Sequence, residues 1–151
     1  MDMSGEEQIA ASREQVWKAL NNPNVLKKCI PGCESLEAKS PTEMVATIKV
    51  KVGPISRNFK SDVKFTNINA PESYTITSEG GIAKASTDVK LREEDGKTVL
   101  SYTVNAKVGG KLAVLGSGLI RSSAKKIVEQ FFTKLKKTIS DRARAKDLSE
   151  A

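Results

Sequence analysis

The period of apolar and polar positions changes along this chain, and each change marks a new element. Residues 2–10 read as an opening strand. "SREQVWKALNN" then takes helical spacing, with Val16, Ala19 and Leu20 on one stripe and Trp17 at its edge. Ser12 is the expected N-cap, and Gln15 three residues on completes a capping-box signature. Pro23 ends that helix and opens a second short one, "PNVLKKCI", which Pro31-Gly32 stops. From Cys33 onward the period is two. In "MVATIKVKV", Ala46, Ile48, Val50 and Val52 alternate with polar residues, as a half-buried strand requires. "NFKSDVKFTNI" sets Phe59, Val63 and Phe65 against Lys60, Asp62 and Lys64. "YTITS", "IAKASTDVKLRE" and "TVLSYTVNAKV" continue the pattern, with Asp95-Gly96 as a hairpin signal between the last two. After "GGK" the spacing is helical again from Leu112 to about Asp141.

The order predicts an α+β domain. A curved antiparallel sheet of about seven strands, with two short helices after strand 1, grips one long C-terminal helix. An antiparallel sheet with one apolar face must cover that face, and the amphipathic helix is the obvious cover. No repeat or linker divides the chain, so one domain is expected over residues 1–140, with a basic tail over 141–151 that begins as helix.

The predicted inner face is unusual in its small side chains. Ala83, Ala85, Thr87, Val89 and Leu91 share one side of a strand, with Ser61 and Ala106 on its neighbours. Such a face leaves either an internal cavity or room for the helix aromatics Phe131 and Phe132 to fill. The alternation sends Val50, Phe59, Val63, Tyr74, Ala85, Val89 and Tyr102 inward, and Leu119 and Ile120 lie where the helix enters over the sheet. These nine form the expected ligand-binding set. The two phenols, which need partners when buried, are candidates to orient a ligand carbonyl or to bond backbone.

Composition narrows the chemistry. The chain has 151 residues, 25 basic and 18 acidic, for a net charge of +7, and no histidine. The missing histidine removes the commonest general base and the commonest metal ligand. The two cysteines, Cys29 and Cys33, fall short of a zinc set and do not match the C-x-x-C redox spacing. They are expected to be small apolar residues of a tight loop, with no metal site. The carboxylates fall at strand ends, in turns or on outward faces, and no pair of them suits acid–base work. Nine basic residues lie between Arg121 and Lys146, and Lys125, Lys126, Lys134, Lys136, Lys137, Arg142 and Arg144 are the expected membrane or partner surface, against a plain solvated helix face. Nucleic acid is a poor fit, because no aromatic platform accompanies the charge. The N-terminus is acidic and lacks an apolar core, and no run is long enough to span a bilayer, so a cytoplasmic protein, peripheral at most to the inner membrane face, is expected.

"IPGCESL" after the second helix, "KVGPI" at the first hairpin and "AKVGGKLAVLGSGLI" before the last helix resemble the CoxG family, named for a subunit of carbon monoxide dehydrogenase. That family belongs to the START-like (SRPBCC) superfamily, the helix-grip fold. The family's glycine-rich stretch is shorter here, as "EGGIAKAS". The resemblance implies association with a molybdenum-containing CO dehydrogenase, a role at the membrane, and an apolar ligand such as a quinone or lipid, with no covalent cofactor. The reading that follows is a non-enzymatic carrier. The alternatives are an adaptor that needs no ligand, and a START-like cyclase or hydrolase, which would need a charged residue projecting inward.

Overall fold

The computed structural model describes residues 1–80 and 83–150, with side chains for these except at 111, 112 and 143–150. Seven strands form one antiparallel sheet: β1 (Asp2–Ile9), β2 (Cys33–Ser40), β3 (Glu43–Val52), β4 (Ile55–Asn69), β5 (Ser73–Gly80), β6 (Ala83–Glu94) and β7 (Lys97–Val108). Their spatial order is β1-β7-β6-β5-β4-β3-β2, so the first strand pairs with the last and the chain crosses the whole sheet between β1 and β2. Two short helices, α1 (Arg13–Leu20) and α2 (Pro23–Cys29), make that crossing. A one-turn α3 (Gly110–Ala113) and the long α4 (Ser117–Glu150) follow. This is the helix-grip arrangement expected from the sequence.

Local chemistry sets the helix ends. Ser12 and Gln15 close a reciprocal capping box at α1. Asn22 caps α2, and Pro23 occupies its first turn. Beyond α2, Gly32 lies against β3. Its carbonyl accepts from the Lys49 amide at 2.8 Å, its φ is +75°, and a Cβ there would collide with the Lys49 carbonyl. The "PGC" turn is therefore clamped to the sheet by backbone.

The last helix differs from the expected Leu112–Asp141 in two ways. It is broken between α3 and α4, because Gly116 takes φ +91°, a left-handed conformation that no continuous helix contains. It also runs on to Glu150, through the segment expected as a tail. The core lies where α1, α2 and the second half of α4 cover β6 and β7. Val16, Leu20, Val25, Leu91, Leu100 and Leu135 are all buried there. Thr98, fully buried, donates its hydroxyl to the Ala11 carbonyl at 2.7 Å.

Candidate functional site

Strand register assembles the concave face. Met44, Val63, Ser78, Ala85 and Ala106 sit opposite one another across five strands, and farther along the strands Tyr74, Val89, Tyr102 and Gly5 do the same. The backbone of α4 approaches α2, α1 and β3 most closely. Over β5–β7 the helix stands off and meets the sheet through side chains. Beneath it lies an apolar cavity of about 180 Å³. The sheet supplies Tyr74, Ile76, Thr87, Val89, Leu100 and Tyr102 to its wall. The helix α4 supplies Ile127, Val128, Phe131 and Phe132, and the crossing segment supplies Leu20, Leu26, Ile30 and Pro31.

Aromatic packing stiffens two sides of this space. Tyr102 stacks on Phe132 at 5.4 Å, and Phe131 meets Phe132 edge-on at 5.3 Å. Tyr74 meets Trp17 edge-on at 5.0 Å and Phe65 at a tilt at 5.6 Å. Tyr74 is only 2% exposed, and its hydroxyl has no hydrogen-bond partner. Burial alone pushes its phenol far above the ordinary value of 10.0. Tyr102 is half-buried, and its phenol is raised by burial first and then by the negative charges of Glu7 and Glu129.

Of the nine expected ligand residues, the structure brings Tyr74, Val89 and Tyr102 together on this wall. Val50, Phe59, Val63 and Ala85 share the concave side but lie off the cavity wall, half-buried. Leu119 packs against the β3–β4 turn at Gly53, and Ile120 borders a separate open groove beside Met1, Ala106 and Val108. Phe131 and Phe132 do not fill the interior; they wall it. Reasoning from alternation misses the contribution of Leu20, Leu26, Ile30 and Pro31. Its one sequence signal is the apolar stripe of the two short helices running into "IPGC".

A larger depression of about 670 Å³ lies on the outer face of the sheet. It is open, and charged side chains of both signs line it, including Asp62, Lys64, Glu79, Lys84 and Lys107. The smaller, apolar cavity is the better site for a small molecule, because ligand affinity comes from enclosed apolar area.

The cysteines are structural in setting. Cys29 is fully buried with its sulfur 3.9 Å from the Thr138 hydroxyl, and Cys33 donates its S–H to the Ser35 carbonyl at 3.4 Å. Burial raises both thiols, which keeps them protonated and unreactive. No three His, Cys, Asp or Glu groups cluster for a metal among the described residues.

The basic residues of α4 do not form one face. Lys136 reaches the sheet, where its ammonium meets the Glu7 carboxylate at 2.7 Å. Arg121 donates to the Asp2 carbonyl at 3.3 Å. Lys134 lies on the side of Cys29. Lys125, Lys126, Lys137 and Arg142 are exposed, and Arg144 and Lys146 fall outside the residues with described side chains. Glu7 is the charged residue that shares the inner face, yet it is turned to Lys136 and does not line the cavity.

Solved structures share this architecture. A conserved protein from Geobacillus kaustophilus superposes with a TM-score of 0.85 at 30% identity, over 93% of this chain and 96% of that one. A START superfamily protein from Mycobacterium smegmatis gives 0.77 at 10% identity, over 93% and 97%. A protein from Thermus thermophilus gives 0.75 at 16% identity, over 94% and 99%. The last two establish the fold alone. No curated protein sequence matches the chain. The sequence model of CoxG, a carbon monoxide dehydrogenase subunit, matches residues 5–140. With that match spanning nearly the whole helix-grip domain, the chain belongs to the CoxG family of carbon monoxide dehydrogenase subunits.

Proposed function

We propose that this protein is a non-enzymatic carrier for an apolar ring-bearing molecule, a quinone or a lipid-like compound, and delivers it between a membrane surface and a CO dehydrogenase-type oxidoreductase. The observation that carries this reading is the apolar cavity beneath α4, walled by Tyr74, Tyr102, Phe131 and Phe132. Among the described residues no charged side chain lines it, which favours holding a ligand over transforming one. An apolar cavity of about 150 Å³ is known to hold a benzene ring, so about 180 Å³ suits a ring system rather than a whole lipid. The partner is inferred from the family description.

The membrane part of the reading draws support from the α3–α4 corner. Val114 is 83% exposed, Leu119 39% and Ile127 43%, with exposed Lys107, Arg121 and Lys125 beside them. Apolar side chains ringed by basic ones suit an anionic bilayer surface. No helix is long and apolar enough to cross a membrane among the described residues.

Native mass spectrometry of protein purified from its own host tests the reading. A non-covalent adduct that organic solvent removes, with a quinone or lipid mass, is the expected result. Protein that carries no adduct and takes up no quinone when offered one would leave an adaptor without ligand as the better account.

A further inference from the structure

Tyr74 holds a hydroxyl that the empty protein does not use. The oxygen is covered, and no protein group bonds to it. The ring contacts with Trp17 and Phe65 would be the same for phenylalanine. A buried hydroxyl without a partner is unfavourable relative to that alternative. The same residue forms part of the cavity wall, in one row with Val89 and Tyr102.

We infer that Tyr74 is the polar contact of the cavity, its O–H donating to an acceptor oxygen on the ring of an otherwise apolar, uncharged ligand. This rests on the carrier reading above and adds to it the chemistry and orientation of the ligand. Burial keeps the phenol protonated, so it offers a hydrogen rather than a negative charge. A carboxylate or phosphate head would meet no cation on this wall and would stay outside. A carbonyl or ether oxygen is the matching group. Tyr74 sits at the end closed by Trp17 of α1, whereas Ile127 on the opposite wall is 43% exposed. The acceptor-bearing ring therefore enters first, and any tail trails out past Ile127. Because the oxygen is covered in the empty protein, its bond forms with a small side-chain adjustment as the ring enters.

Two probes of nearly the same shape separate the possibilities: 1,4-naphthoquinone, with two acceptor oxygens, and naphthalene, with none. Each is titrated calorimetrically into the wild-type chain and into Tyr74→Phe. The wild type is expected to favour the quinone. Tyr74→Phe should weaken quinone binding by roughly 2- to 10-fold, the span of one hydrogen bond, and leave naphthalene unchanged. The empty variant should melt no lower than wild type, since it loses only an unpaired hydroxyl. If both probes bind and the ratio of their affinities is the same in both proteins, the inference is overturned while the carrier reading stands. If neither probe binds the wild type, the carrier reading itself fails and takes this inference with it.

Discussion

The phenol oxygen of Tyr102 lies 2.5 Å from the point a Cβ on Gly5 would occupy, and its ring carbon Cζ only 2.8 Å away. The two residues face each other across the β1–β7 pair. Gly5 has ordinary extended backbone, so what it supplies is space: the missing side chain lets Tyr102 lean over β1 while stacking on Phe132. Gly5→Ala is expected to push the ring off that stack and into the cavity. Overpacking of this kind costs about 1–3 kcal/mol. Urea denaturation would measure the loss, and quinone titration the accompanying fall in affinity. An alanine variant with wild-type stability and binding would mean that Tyr102 has another place to go.

Cavity filling distinguishes the wall from the rest of the concave face. Thr87 lies on the wall and Ala85 on the same strand but off it. Thr87→Phe should reduce the binding of a ring-sized probe by more than about tenfold, a change of roughly 1.4 kcal/mol, in a protein that still unfolds cooperatively. Ala85→Phe should have the smaller effect. The reverse order would move the ligand toward the β3–β4 hairpin, beside Val50, Phe59 and Val63.

Alkaline pH is expected to destabilise the fold. The thiols of Cys29 and Cys33 and the phenol of Tyr74 are all raised by burial above their ordinary values of 9.0 and 10.0. Below pH 9 both folded and unfolded chains keep these protons, and the groups add no pH dependence. Above it the unfolded chain releases protons that the native state retains, so stability falls as pH rises. Urea midpoints should be level from about pH 7 to 8.5 and decline beyond about 9. Cys29→Ala should reduce the slope between about pH 9 and 10. Thiol alkylation at neutral pH should be slow for both cysteines until the chain unfolds.

The bond between Lys136 and Glu7 joins α4 to the sheet edge at 2.7 Å. Both side chains keep substantial exposure, 42% and 30%, so the pair is worth only about 0.5–1 kcal/mol. Glu7→Gln should cost that much in global stability at low salt and less at high salt, where the charges are screened. Hydrogen exchange along β1 should rise more than in β4, because the contact is local. Uniform loss of protection would show that the pair matters to the whole fold.

The sequence by itself determined the elements and the face each strand turns inward. Period-two alternation marks β3 through β7 because successive side chains on a strand must point to opposite sides. Ser12, Gln15, Pro23 and Gly32 announce helix ends because caps and turns are chemistry of neighbouring residues. Tyr74, Val89 and Tyr102 were legible as inward for the same reason that alternation is. Alternation gives a side, though, and not a place on that side. Whether Val89 or Val50 meets a ligand depends on how the sheet curves and where α4 stands away from it, and contacts between distant residues set both. The same limit hid the wall formed by Leu20, Ile30 and Pro31, which reaches β5–β7 only through the crossing of α1 and α2. The period through Leu112–Asp141 did not reveal the break at Gly116, since a left-handed glycine leaves the apolar spacing on either side intact. It also could not divide the lysines of α4. Lys136 and Lys137 are neighbours in sequence, but the turn of about 100° per residue in a helix aims one at Glu7 and leaves the other in solvent. Only tertiary structure, by bringing residues 7 and 136 together, decided which charge is free.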